Sequence, residues 1–156
     1  MNIVTINTYD QYRKRLFNGG AVDLTTIPLK LALVTSAYVP DQNLDEYWSE
    51  VVANEVAGAQ YTAGGNVCDF PTVVMDAAGL ITIDAGDPNV WPQDVDAGFD
   101  NAERAVLYAD TGDAATSPLI GYGDVFAATR GNKTGAFACA FAATGIFNIP
   151  RGIYFL

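Results

Sequence analysis

Asp84, Asp87, Asp94, Asp96 and Asp100 crowd into one stretch that also holds Trp91 and Phe99. Two carboxylates about 5–9.5 Å apart can hydrolyse a glycosidic bond without help from other side chains, and aromatic rings stack on sugars. The same oxygens suit a hard cation such as Ca²⁺. However, Asp94-Val95-Asp96-Ala97-Gly98-Phe99-Asp100 departs from the EF-hand loop, and Ala105 stands where the closing glutamate belongs. A solvated acidic loop accounts for the pattern more simply than either chemistry.

Other reactive groupings are thinner. The chain has no histidine, so it lacks the commonest general base, serine-activating partner and nitrogen ligand. Ser36, Ser49 and Ser117 lie outside any G-x-S-x-G elbow. Gly64-Gly65 and Gly121-Tyr122-Gly123 lack the context of a phosphate-binding loop. Cys68 and Cys139 have no C-x-x-C spacing; they read as buried free thiols on two strands, with a single bridge between them as the alternative. Asn132-Lys133-Thr134 matches the glycosylation acceptor pattern, which carries little weight without a secretion signal. The expectation is a protein that is not an enzyme and holds no cofactor or metal.

The chain's 156 residues are enough for one domain with a sizeable core. Half the residues are hydrophobic and the mean hydropathy is +0.15, which excludes a disordered chain. No apolar run approaches the ~20 residues of a membrane-spanning helix, and residues 2–7 form no basic-led signal. These features read as a soluble protein made in the cytoplasm, with no membrane partner. The net charge is −10, from 8 basic and 18 acidic residues. Residues 31–103 contain no Lys or Arg, whereas Arg13, Lys14, Arg15 and Lys30 precede them. Such an acidic body repels phosphate backbones and argues against nucleic acid as a partner. It suits simple solubility, or docking onto a basic partner.

The elements that position these groups are short. Thr8 followed by residues 9–17 and closed by Gly19-Gly20 predicts a helix, with Tyr9, Tyr12, Leu16 and Phe17 along one side. Residues 27–35 read as a strand with Leu29, Leu31 and Leu33 on one face, and residues 45–52 as a second short helix. Tyr61-Thr62-Ala63-Gly64-Gly65 reads as a backbone turn into a sheet, the two glycines allowing positive φ or a close approach. Residues 70–75 and 80–83 flank Ala77-Ala78-Gly79 as a hairpin. Residues 84–99 form a long loop that exposes Trp91. Residues 104–108, 118–127 and 136–143 are further strands, and 129–135 a turn; Phe137, Cys139 and Phe141 share the buried face of the last strand. Short strands without a strand–helix alternation predict an all-β, mainly antiparallel domain, a β-sandwich or jelly roll with one or two short helices and extended termini. The expected division is an arm at residues 1–20, a sandwich at 21–148 and an apolar tail at 149–156.

Leu29-Lys30-Leu31-Ala32-Leu33-Val34, Tyr38-Val39-Pro40-Asp41, Asn54-Glu55-Val56 leading to Tyr61-Thr62-Ala63-Gly64-Gly65, the stretch 84–91, Arg104-Ala105-Val106-Leu107-Tyr108 and Ser117-Pro118-Leu119-Ile120 occur in this order. The series resembles a family of small virion proteins of tailed bacteriophages, over residues 29–146. The resemblance implies a structural role, in some members as head decoration (cement) proteins, and supplies no catalytic residue. It implies a homo-oligomer, expected as a trimer, on the capsid exterior with the major capsid protein as partner. Tyr9, Tyr12, Arg13, Lys14 and Arg15 of the arm, and Tyr154, Phe155 and Leu156 of the tail, are the expected contacts. A tail, neck or fibre component is the alternative, with the Trp91 loop and Tyr122 as its candidate ligand surfaces.

Overall fold

The computed structural model describes residues 2–69, 71–127 and 130–149. It is an all-β, mainly antiparallel, sandwich-like domain with one short α-helix. In chain order the elements are β1 (Asn2–Val4), β2 (Ile6–Thr8), α1 (Asp10–Asn18), β3 (Leu29–Val34), two 3-10 turns (Trp48–Glu50 and Val52–Asn54), β4 (Asn66–Cys68), β5 (Thr72–Met75), β6 (Ile81–Asp84), β7 (Arg104–Ala109), β8 (Leu119–Gly123), β9 (Cys139–Phe141) and β10 (Phe147–Ile149). The region expected as a second helix is the pair of 3-10 turns, with Trp48 and Val51 inward.

The main sheet runs β2-β8-β7-β3-β4, every pair antiparallel. β3 and β7 occupy its middle, and both are buried nearly end to end, which is why they read as almost unbroken apolar runs rather than clean alternations. Leu29, Leu31 and Leu33 lie opposite Ala109, Leu107 and Ala105 on one face. On the other face Tyr108 lies opposite Lys30, and its ring stacks on Trp48 at 4.5 Å between centroids and 1° between planes. On β8, a Cβ on Gly121 or Gly123 would lie 2.4 Å from Ile6 Cγ2 or 2.6 Å from Val4 Cγ1. The bare backbone of Gly121-Tyr122-Gly123 therefore makes room for the first strands rather than for a phosphate.

Residues 2–20, expected as an arm with a short helix, are built into the domain. β1 pairs with β9 in parallel, β2 closes one edge of the main sheet, and α1 follows at once with Tyr9 and Tyr12 in the core. Burying Ile6, Tyr9 and Tyr12 is more favourable than leaving them in water. Gly19 ends α1 in the left-handed region at φ 79°, as the glycine pair suggested. Cys68 and Cys139 are free, buried thiols on β4 and β9, and burial pushes both up to about 12. Most of the expected tail, residues 150–156, lies outside the described residues.

The third sheet, β10-β6-β5, is antiparallel and contains the predicted hairpin, with Asp76 to Gly79 turning between β5 and β6.

Candidate interaction surface

The register of the three-stranded sheet fixes its faces. Val73 lies opposite Ile83, which lies opposite Phe147; Met75 lies opposite Ile81, which lies opposite Ile149. Cross-strand partners share a face, so these six side chains make one wholly apolar surface. It looks towards α1 and residues 22–25. Between them is a cleft of about 440 Å³ lined by Tyr12, Leu16, Phe17, Leu24, Ile83 and Phe147 among others. Tyr12 meets Phe147 edge to face, with ring centroids 6.0 Å apart. Its buried hydroxyl has no hydrogen-bond partner among the described residues, and burial pushes it up to about 12.

Cover over this face is uneven. Ile83 beneath α1 is 4% exposed, whereas Val73 is 53% and Met75 69% exposed at the outer strand; Phe17, on the opposite lip, is 79% exposed. Contiguous apolar surface of this kind marks contact sites on soluble proteins. Sequence reasoning found β5 and β6 but neither β10 nor this face. Its signal was the pair of short alternations Val73/Met75 and Ile81/Ile83, too short to reveal that the third row comes from β10.

The residues expected as contacts separate. Tyr9 and Tyr12 are fully buried, so neither reaches a partner from the folded chain. Tyr9 donates or accepts a 2.5 Å bond with Tyr38 and packs on Tyr122, at 5.1 Å between centroids. Arg15 is held internally by Glu46 at 2.6 Å and lies over the Tyr47 ring. Arg13 and Lys14 are exposed; Arg13 pairs with Asp10 at 3.2 Å within the helix. Tyr154, Phe155 and Leu156 lie outside the described residues.

Residues 61–65, expected as a turn into a sheet, lead into β4 with a carboxylate at the centre of the segment. Gly64 and Gly65 have φ of 87° and 79°. A Cβ on Gly65 would lie 2.2 Å from the Leu31 carbonyl oxygen, so only glycine lets the turn lie against β3. Glu55 Oε1 accepts from Tyr61 Oη–H and Gly64 N–H, each at 2.6 Å. Tyr61 Oη also accepts from Leu33 N–H at 3.0 Å, and Tyr108 donates to the Gly64 carbonyl at 2.8 Å. Burial raises Glu55 above the ordinary glutamate value, with those two bonds and Lys30 acting in the opposite direction. The Leu33 and Tyr108 bonds fasten the turn to β3 and β7, while Glu55 ties Tyr61 to Gly64 within it.

Trp91, expected in an exposed loop, is fully buried. It stacks near Tyr61 and meets Phe137 edge to face, and Phe99 and Phe126 complete the aromatic cluster. A backbone bridge to Phe137 holds it there. Trp91 is thus closed to a sugar or receptor in this fold, and Tyr122 is half-covered by Tyr9. The nearby acids serve the backbone: Asp94 accepts from Asp96 and Ala97 N–H, Asp87 accepts from Phe141 N–H, and Asp100 pairs with Lys133. Among the described residues no three acidic or sulfur ligands converge as a metal site would require.

Asn132, in the turn expected at 129–135, is also fully buried. Its amide donates to the carbonyls of Ala59 and Pro92 at 3.2 and 2.7 Å, and its Oδ1 accepts from Phe99 N–H at 2.8 Å. One side chain therefore joins three loops, and an acceptor asparagine for glycans it is not in the folded state.

No protein-family model, no curated protein and no solved structure matches this chain.

Proposed function

We propose that the chain is a non-enzymatic decoration protein of a bacteriophage head, which binds the outside of the shell and ties neighbouring coat subunits together. The observation that carries this reading is the half-covered apolar face of the β10-β6-β5 sheet with Phe17 on its opposite lip. The ordered resemblance over residues 29–146 supports it, as does the acidic body with Arg13 and Lys14 exposed on α1. Such a protein stabilises a shell through many identical, individually modest contacts, whose sum resists internal pressure by avidity. The major capsid protein is the partner, and copies of the chain meet one another on the shell.

Copy number tests this. In particles of the phage that encodes it, a stained gel should show the chain in numbers comparable to the coat protein, and gold-labelled antibody should mark the head. A few copies per particle, or label confined to the tail, overturns the reading in favour of a tail, neck or fibre component.

A further inference from the structure

We infer that β5 is a contact between two copies of this chain, paired antiparallel across a two-fold axis that passes between the two Val74 residues. The inference concerns the isolated protein and stands whether or not it decorates a head.

The orientation of the edge follows from hydrogen bonds. Asp76 N–H donates to the Leu80 carbonyl directly opposite it, so the closely bonded pairs of this hairpin are Asp76/Leu80, Val74/Thr82 and Thr72/Asp84. Ile83 uses its carbonyl on the other side, accepting from Ile146 N–H. Val73 and Met75 therefore point their N–H and C=O groups away from β6. Among the described residues β5 is the last strand of its sheet, and all four of its residues are exposed.

Natural edge strands are blunted by lysine, internal proline, a bulge or a cover. β5 has no charged residue, no proline within it and no irregularity in its register. Its exposed side chains are Val73, Val74 and Met75. An edge of this kind is a template for another strand, and an antiparallel strand is its own complement under a two-fold axis.

Only one register uses the edge fully. Setting Val73 opposite Met75 of the second copy makes four backbone hydrogen bonds, two at each of the symmetric pairs. It also continues the row of Val73 and Met75 across the axis, joining the apolar faces of the two sheets. Shifting so that Val73 faces Val73 brings Pro71 into a bonding position, where it has no N–H to give. Shifting the other way brings the turn residue Ala77 into the pairing. In the favoured register Thr72 faces Asp76, so no carboxylates oppose each other despite the net charge of −10.

Four residues on each side bury much less than the ~800 Å² per partner of a standard interface, so the pair is weak, with dissociation in the range of about 0.1–1 mM. Sedimentation should then show a monomer–dimer equilibrium up to about 2 mM. Val74 is 58% exposed and touches the partner only at the axis, which makes a charge swap decisive. Val74→Lys and Val74→Glu should each be monomeric, because each sets like charges face to face, and an equimolar mixture should form the mixed dimer. A Val74→Cys variant in a glutathione redox buffer should form a covalent dimer, since unbonded antiparallel pairs hold Cα atoms ~4.5 Å apart, within disulfide reach. Val95→Cys, somewhat more exposed but in a loop, is its control. A trimer, self-association unaffected by the charge changes, or no excess cross-linking of Val74→Cys over Val95→Cys overturns the proposal.

Discussion

Replacing Asn132 by alanine should be among the most damaging single changes in the chain that leaves its apolar core untouched. The substitution removes two donors and one acceptor, and the carbonyls of Ala59 and Pro92 and the N–H of Phe99 have no other partner among the described residues. At about 1–1.5 kcal/mol for each lost bond the cost is about 3–4.5 kcal/mol, and it rises if water fails to enter the vacated space. For a domain of this size that shifts the midpoint of thermal unfolding down by roughly 6–18 °C. Chemical denaturation of Asn132→Ala beside wild type measures it, with Lys133→Ala as control, expected within about 0.5 kcal/mol of wild type because Lys133 holds only an exposed ion pair. Hydrogen exchange adds a local reading: the Phe99 amide should lose protection before the amides of β3 do. A loss below about 1 kcal/mol, or unchanged Phe99 protection, would refute the idea that one amide staples these loops.

Two further changes probe the turn beside β3. Gly65→Ala should prevent stable folding, because its Cβ collides with the β3 backbone, whereas Gly64→Ala should cost only about 1–2 kcal/mol, for a left-handed residue whose Cβ presses on a side-chain end, the Tyr108 hydroxyl at 3.1 Å, and not on backbone; equal effects in denaturation would show that the close approach is not what requires glycine. Glu55, with a folded value above its unfolded one, binds a proton more readily in the folded chain, so its charge costs stability at neutral pH and that cost is relieved as the pH falls. Wild type should therefore gain on Glu55→Gln when unfolding temperatures are compared from about pH 7 down to about pH 4, and a constant difference, or one of opposite sign, would contradict that.

Much of the fold was legible because some elements carry their own signal. β3 and β7 are apolar runs, the β5–β6 hairpin has a turn sequence between alternating strands, and α1 ends at a glycine. The strands β1, β2, β4 and β10 were not legible, since each has three residues and takes its conformation from a distant partner. The same cause hid the environment of Trp91 and Asn132. Trp91 sits among prolines and acids and Asn132 among glycines and cations, both stretches that look like exposed loops, yet tertiary contacts from Tyr61, Phe137 and the Phe99 amide draw them inside. Tyr9 and Tyr12 show the reverse difficulty. Their helical spacing correctly predicts that α1 lies on something, but amphipathicity does not say whether the covering surface belongs to the same chain. The apolar face beside α1 needed the register of three strands, which no local pattern encodes.

The pairing of β1 with β9 also sets a schedule for synthesis. Asn2 contacts Ala138, 136 positions later, and ribosomes add about 5–20 residues each second. The first strand therefore waits roughly 7–27 s for its partner to be made, and β2 waits nearly as long for β8. Through that interval Ile3, Val4 and Ile6 are open to whatever else is nearby, including other nascent chains on the same message. The last short strands to be translated, rather than the long central ones, decide when the first part of this protein is safe from aggregation.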